Sequence, residues 1–173
     1  FDDYAEGFEQ HLVQGLGYRV PQDLAALLPP GPRGEALDLG CGTGLVAQAL
    51  AGRVTAIDGL DLAPRMVAAA RASGRYRRVE EGEVVAALAA CEARYDLVLA
   101  ADVFIYLADI APVFAGAWRV LRPGGLFAFS VEAAPAGVEL GTALRYRHGE
   151  DHLRALAAAQ GFAWRALQPA VLR

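Results

Sequence analysis

The chain has 173 residues, 55% of them hydrophobic and 21% charged, with a formal net charge of -4 and a pI near 5.4. That is long enough for one domain with a layered core and too apolar for disorder. The acidic balance argues against nucleic acid as a partner, no apolar run nears the roughly 20 residues of a membrane span, and the start FDDYAEGFEQ is not a basic leader, so a cytoplasmic protein is expected.

Residues 3–16 and 21–28 read as two short helices, making 1–30 an N-terminal helical cover and 31–173 the core of a single domain. The apolar stretch 36–39 (ALDL) is a strand, 45–51 starts a helix after a glycine turn, and 55–61 is a second strand. Pro64 then opens a helix to about 73, at a first-turn position where its missing N–H is harmless. A short strand near 77–80, a helix over 83–90 and a buried strand at 96–101 repeat the cycle. The helix 110–120 is stopped by Arg122-Pro123-Gly124-Gly125, and 126–131, apolar throughout, is expected to be buried on both faces. A polar loop at 132–148, a helix at about 150–160 ended by Gly161, and a last strand within 162–172 follow. Alternation of this kind implies an α/β three-layer sandwich, a mostly parallel sheet with helices on both faces.

The most informative stretch is Ala36-Leu37-Asp38-Leu39-Gly40-Cys41-Gly42-Thr43-Gly44-Leu45, which puts alternating glycines between a strand and a helix. Such a turn lets a ligand rest against main-chain N–H groups at the carboxyl edge of the sheet. The glycines also satisfy a dinucleotide pattern, and Asp61, about 20 residues on, suits the ribose of an NAD(P) oxidoreductase equally well. Asp38 separates the readings. Its carboxylate would repel a pyrophosphate but attract the ammonium and sulfonium of S-adenosyl-L-methionine.

Leu-Asp-Leu-Gly-Cys-Gly-Thr-Gly resembles motif I of the class I, Rossmann-like S-adenosylmethionine-dependent methyltransferases, and Gly59-Leu-Asp61-Leu-Ala-Pro-Arg-Met66 resembles their second motif. Tyr95-Asp-Leu-Val-Leu-Ala-Ala-Asp102 is similar to the family's fourth strand, and Trp118-Arg-Val-Leu-Arg-Pro-Gly-Gly-Leu-Phe127 to its turn into strand five. Tyr4-Ala-Glu-Gly-Phe8 and the 100–106 stretch look closer still to bacterial methyltransferases described as predicted TPR-repeat proteins, although no TPR repeat is visible. The resemblance implies that Asp38 and the main chain of Leu39, Gly40, Cys41, Gly42 and Gly44 hold the methionine end, and that Asp61 takes the ribose hydroxyls. It also implies that Leu62 and Met66 flank the adenine, and that Ala100 and Ala101, with Tyr4 above, lie beside the methionine moiety. Glu83, followed by Val84, stands where the family has an Asp for the adenine amino group, and a helix-capping role is an equal alternative. Asp58 reads as a strand residue rather than a second ribose ligand. The family closes its sheet with a further antiparallel strand, so the chain is either trimmed or lacks it; it also begins without Met, so preceding sequence is expected.

Methyl transfer asks mainly for alignment and exclusion of water, so no universal catalytic residue is expected. Candidate bases are Tyr4, His11, Tyr106 and His148, with Asp102 and Glu132 beside them. Asp102-Val-Phe stands where exocyclic base methylation would need a [DN]-P-P-[YFW] motif, which leaves a small-molecule acceptor and S-adenosyl-L-homocysteine as product. A non-catalytic S-adenosylmethionine-binding module acting through a protein partner is the other alternative. Cys41 and Cys91 form no ligand pattern, so no metal is expected. Arg75, Arg77 and Arg78 form either a phosphate site or a solvated face. All 16 basic residues are arginine, which points to a GC-rich bacterial genome, and oligomeric state is not legible.

Overall fold

The computed structural model describes residues 17–170. The core elements are α1 (Val20–Leu27), β1 (Glu35–Leu39), α2 (Leu45–Ala49), β2 (Ala56–Asp61), α3 (Pro64–Ala72), β3 (Arg78–Glu81), α4 (Val84–Ala90) and β4 (Tyr95–Ala100). A 3-10 turn (Phe104–Tyr106), α5 (Ala111–Val120), β5 (Leu121–Phe129), β6 (Glu132–Ala134), β7 (Val138–Leu140), β8 (Tyr146–Gly149) and α6 (Glu150–Gln160) follow. The main sheet is five-stranded in the order β3-β2-β1-β4-β5, and every pairing in it is parallel. The chain runs outward from β1 to β3, then returns to β4 on the other side of β1. That reversal leaves a crevice at the carboxyl ends of β1 and β4, the place where open α/β sheets bind ligands.

Side chains alternate along each strand, which assigns the two faces. Leu37, Leu39, Leu60 and Val98 pack with Leu88, Val113, Phe114, Ala117 and Leu153. Ala36, Ile57, Leu97 and Leu99 pack with Ala25, Leu28, Val46, Ala47 and Leu50 of α1, α2 and their ends. Asp38 shares parity with Ala36 and so faces the second layer. The turn at 122–125 appears as a break in pairing: Tyr95 lies opposite Leu121, but Leu97 lies opposite Leu126, and the intervening residues bulge out. Arg122 fastens the bulge through Asp96 at 2.8 Å and Glu35 at 2.6 Å.

The structure corrects three expectations. β5 is half-buried rather than covered on both faces, because it is the edge strand of the sheet. The polar loop holds a second, three-stranded sheet, β6-β8-β7. No strand forms over 162–170. There Phe162 packs edge-on against Trp118, with ring centroids 5.0 Å apart, and Trp164 lies 4.4 Å below the Arg154 guanidinium. Ring packing onto α5 and α6 takes the segment instead of a ladder. The expected helix 3–16 lies outside the described residues.

Candidate active site

The crevice is built by the ends of β1, β2 and β4. Gly40 and Gly42 have φ of +63° and +55°, conformations that side chains disfavour. Their surroundings differ: a Cβ on Gly40 would stand 2.6 Å from Val103 Cγ2, whereas one on Gly42 would meet nothing within 4 Å. Gly42 therefore borders open space that a side chain would fill. Asp61 braces this turn. Its Oδ2 accepts from the Gly42 N–H and its Oδ1 from the Ala63 N–H, both at 2.9 Å, and lone pairs remain on each oxygen. The Cys41 N–H donates to Leu60 O at 2.9 Å, extending the β1–β2 ladder into the loop.

Asp38 is fully buried. The Tyr76 hydroxyl donates to its Oδ2 at 2.7 Å, while Oδ1 has no partner among the described residues. Burial pushes the Asp38 carboxyl up to about 7; the Tyr76 hydrogen bond opposes the rise and the Asp61 charge adds to it. A buried carboxylate oxygen without a donor is costly unless a ligand supplies one, and an ammonium meets that need. The residues present thus fit S-adenosylmethionine, whose methionine end carries such a group. Thr43 Oγ1 is likewise buried without a partner among the described residues.

At the end of β4, Asp102 adopts φ +56°, which an Asp tolerates better than most residues. Tyr18 donates its hydroxyl to Asp102 Oδ2. Ser130 Oγ accepts from the Asp102 N–H at 2.9 Å and donates to Oδ1 at 3.2 Å. Tyr106, 49% exposed, stands on the 3-10 turn; its hydroxyl is pushed up by burial, with the Arg145 charge opposing and Asp102 and Asp61 reinforcing.

The remaining predicted residues fall in varied places. Leu62 is 67% exposed and Met66 only 2%, so Leu62 offers a rim surface and Met66 belongs to the core. Glu83 caps α4, accepting from the Val85 and Ala86 N–H groups at 2.9 and 2.8 Å, and Val84 is half-buried behind it. Leu39, Cys41 and Ala100 are buried and Ala101 is half-buried. The His148 ring is buried, with Nε2 at 3.0 Å from both Phe104 O and Leu107 O. Glu132 is on β6, 3.9 Å from Arg147. Tyr4 and His11 lie outside the described residues. Arg77 binds Asp58 through two nitrogens, at 3.0 and 2.9 Å, and Glu35 at 2.7 Å. Arg78 lies 3.3 Å from Asp58, and Arg75 reaches Gly44 O at 3.3 Å; the cluster is thus built into the fold. Asp58 also accepts from Tyr95 at 2.7 Å, on the sheet face away from Asp38. Tyr18, Tyr76 and Ser130 escaped sequence reasoning, because none lies in a motif and each meets its carboxylate only through the tertiary fold. Among the described residues no group of His, Cys, Asp and Glu could hold a metal ion, and no helix is long and apolar enough to cross a membrane.

Residues 37–129 match the family described as "Methyltransferase domain". The chain belongs to that family. A malonyl-[acyl-carrier protein] O-methyltransferase of Serratia marcescens is 33% identical over 124 residues, 72% of this chain and 48% of that protein. An S-adenosylmethionine-dependent methyltransferase structure from Mesorhizobium loti superposes with TM-score 0.65 at 25% identity, covering 82% of this chain and 79% of that one. A Haloferax volcanii complex of the Trm112 methyltransferase activator with a methyltransferase gives TM-score 0.71 at 22% identity, over 92% of this chain and 75% of that one. This methyltransferase domain spans about half, or less, of the length of the curated relatives it matches.

Proposed function

We propose that the chain is the catalytic domain of an S-adenosylmethionine-dependent methyltransferase acting on a small-molecule acceptor, with S-adenosylhomocysteine as product. The observation that carries this reading is the buried Asp38 with one unpartnered oxygen, beside a Gly42 that faces open space. A dinucleotide's phosphates would meet that carboxylate unfavourably.

In this reading Asp38 takes the ammonium and the Leu39, Gly40, Cys41, Gly42 and Gly44 main chain supports the methionine end. Asp61 receives the ribose, Leu62 covers the adenine, and Ala100 and Ala101 line the sulfur side. The bound cofactor supplies an electrophilic methyl carbon, whose bond to sulfur breaks with its electron pair going to sulfur. The chain's own task is to align the nucleophile and keep water out. His148, buried with Nε2 against two carbonyls, serves to hold the 3-10 turn rather than to accept a proton. The similarity of 100–106 to the TPR-repeat group, and a cytoplasmic location, belong to the same proposal.

Thermal-shift titration with S-adenosylhomocysteine and with NAD tests it, because a ligand that binds only the native state raises its stability by mass action. A rise with S-adenosylhomocysteine alone is expected. A rise with NAD alone would refute the assignment, and tight S-adenosylhomocysteine binding without transfer to any acceptor would favour a binding module.

A further inference from the structure

Asp102 is held in a backbone conformation that an L-residue disfavours. Its φ of +56° lies in the left-handed region, and residues kept there persist where their neighbours over-determine them, typically at active sites. Here the neighbours are two side chains from distant elements. Ser130 Oγ accepts from the Asp102 N–H at 2.9 Å and donates to Oδ1 at 3.2 Å, while the Tyr18 hydroxyl, 84 positions away, donates to Oδ2. Ser130 is itself tied to the sheet, its N–H donating to Ala100 O at 3.0 Å.

Contacts on both sides of Asp102 tie it to the crevice. Leu39 pairs with Ala100 in the β1–β4 ladder, so 101–103 run beside the glycine turn, and Val103 Cγ2 lies 2.6 Å from where a Gly40 Cβ would stand. Tyr18 leads into α1, which packs in the layer that Asp38 faces, so Oδ2 is approached from the Asp38 side and Oδ1 from the end of β5. The clamped carboxylate is only half-buried, and one lone pair remains on each oxygen. The other titratable groups described at the crevice are committed. Asp38 and Asp61 serve the cofactor in the reading above, and the His148 Nε2 is closed off by two carbonyls. The Tyr18 hydroxyl is pushed up by burial and then by the Asp102 charge, and the Tyr106 hydroxyl by burial, so both keep their protons.

We propose that Asp102 is a catalytic residue whose carboxylate faces the methyl group to be transferred and receives the proton of the attacking O–H or N–H, with Tyr18 and Ser130 as the positioning residues that fix it. The inference rests on the methyltransferase reading and adds a proton acceptor to it. As the acceptor's lone pair forms the bond to the methyl carbon, the C–S bond breaks with its pair going to sulfur, and the acceptor's proton passes to an Asp102 oxygen. The sulfonium and carboxylate charges vanish together, so the step leaves no net charge in the crevice. An O–H or N–H grows more acidic as its heavy atom bonds to carbon, and a fixed carboxylate beside it lowers the barrier by taking that proton in the transition state.

The test uses the full-length protein and begins without an acceptor. Sinefungin carries an amine-bearing carbon in place of the methylated sulfur, so at neutral pH it sets an ammonium where the transferred methyl lies, whereas S-adenosylhomocysteine has nothing there. Calorimetry should give sinefungin a Kd about tenfold below that of S-adenosylhomocysteine, the worth of a hydrogen bond between charged groups. Asp102→Asn, which tolerates the same positive φ, should bring the two Kd values together with the melting temperature kept. Asp38→Asn should weaken both ligands alike, because both carry the methionine ammonium. Tyr18→Phe and Ser130→Ala should narrow the sinefungin preference, and an unchanged preference in both overturns their positioning role. A parent without the preference, or a preference that survives Asp102→Asn, overturns the inference. Methyl transfer to a panel of phenols, alcohols and primary amines is then followed, where Asp102→Asn should lower kcat about a hundredfold with KM little changed. An undiminished kcat, or a parent that binds both ligands and methylates none of the panel, overturns the proton-receiving role. Absence of binding of either ligand overturns the methyltransferase reading and this inference with it.

Discussion

Replacing Asp38 by Asn should move the stability of the free chain and its cofactor affinity in opposite directions. The folded carboxyl titrates at about 7 against an ordinary 3.8, so ionising it disfavours the folded state. Below about pH 4 the group is protonated in both states and nothing is lost. The penalty grows between pH 4 and 7 and is complete above 7, where at ~1.4 kcal/mol per pH unit it is roughly 4 kcal/mol. Asp38→Asn, without cofactor, should therefore melt higher than the parent at pH 8 and equal to it near pH 4. With S-adenosylhomocysteine the order reverses: loss of the buried ion pair should weaken binding by roughly 3 kcal/mol, about a hundredfold. In the parent, binding must expel the Asp38 proton below pH 7, so Kd should rise about tenfold per unit of further acidification. Calorimetry from pH 5.5 to 8, in buffers of differing ionisation enthalpy, reads both Kd and protons released. A parent affinity flat across that range, or an Asn variant that binds equally well, would refute the role given to the unpartnered oxygen.

Tyr76→Phe removes the hydrogen bond that holds the Asp38 carboxyl down, so the onset of tight S-adenosylhomocysteine binding should move to higher pH, with affinity near pH 7 lower by about 1 kcal/mol; an unshifted profile would show that Tyr76 does not tune Asp38. Gly42→Ala should cost the free domain only about 1 kcal/mol through its positive φ, yet reduce S-adenosylhomocysteine affinity at least tenfold, because its Cβ enters the open space. Gly40→Ala, which strikes Val103 Cγ2, should instead lower the melting temperature by several degrees, about 1–3 kcal/mol; equal effects of the two on melting and binding would contradict the assignment of space at the turn. Burial would raise the Asp58 carboxyl, but the hydrogen bonds from Arg77 and Tyr95 and the charges of Arg77 and Arg78 hold it below its ordinary range. That stabilisation is present above about pH 4 and is lost as pH falls through the depressed value. Arg77→Gln should accordingly cost about 1–2 kcal/mol at neutral pH, discounted for the exposure of Arg77, and the melting difference should shrink in acid; a difference independent of pH would argue against the pair.

Periodicity and local turn chemistry are written in short stretches of chain, and there the sequence was legible. The apolar 36–39 run, the Pro64 helix start, the buried 96–101 strand and the Gly161 stop all recur within a residue or two. The glycines around Asp38 revealed the site because their backbone requirement is local. Assigning 126–131 to a doubly covered strand failed because coverage depends on what pairs beyond β5, and the expected last strand does not form over 162–170 because Phe162 packs on Trp118 of α5 and Trp164 under Arg154 of α6. The chain's own sequence therefore determined that an α/β sheet carries a glycine turn with an acid before it. Only the tertiary structure decided that this acid is buried with one oxygen free, that Tyr76 from beyond α3 holds the other, and that Tyr18 and Ser130 meet at Asp102. Those contacts join residues 28 to 84 positions apart, and hydrogen bonds over such separations are set by sheet order and layer packing, which no local pattern encodes.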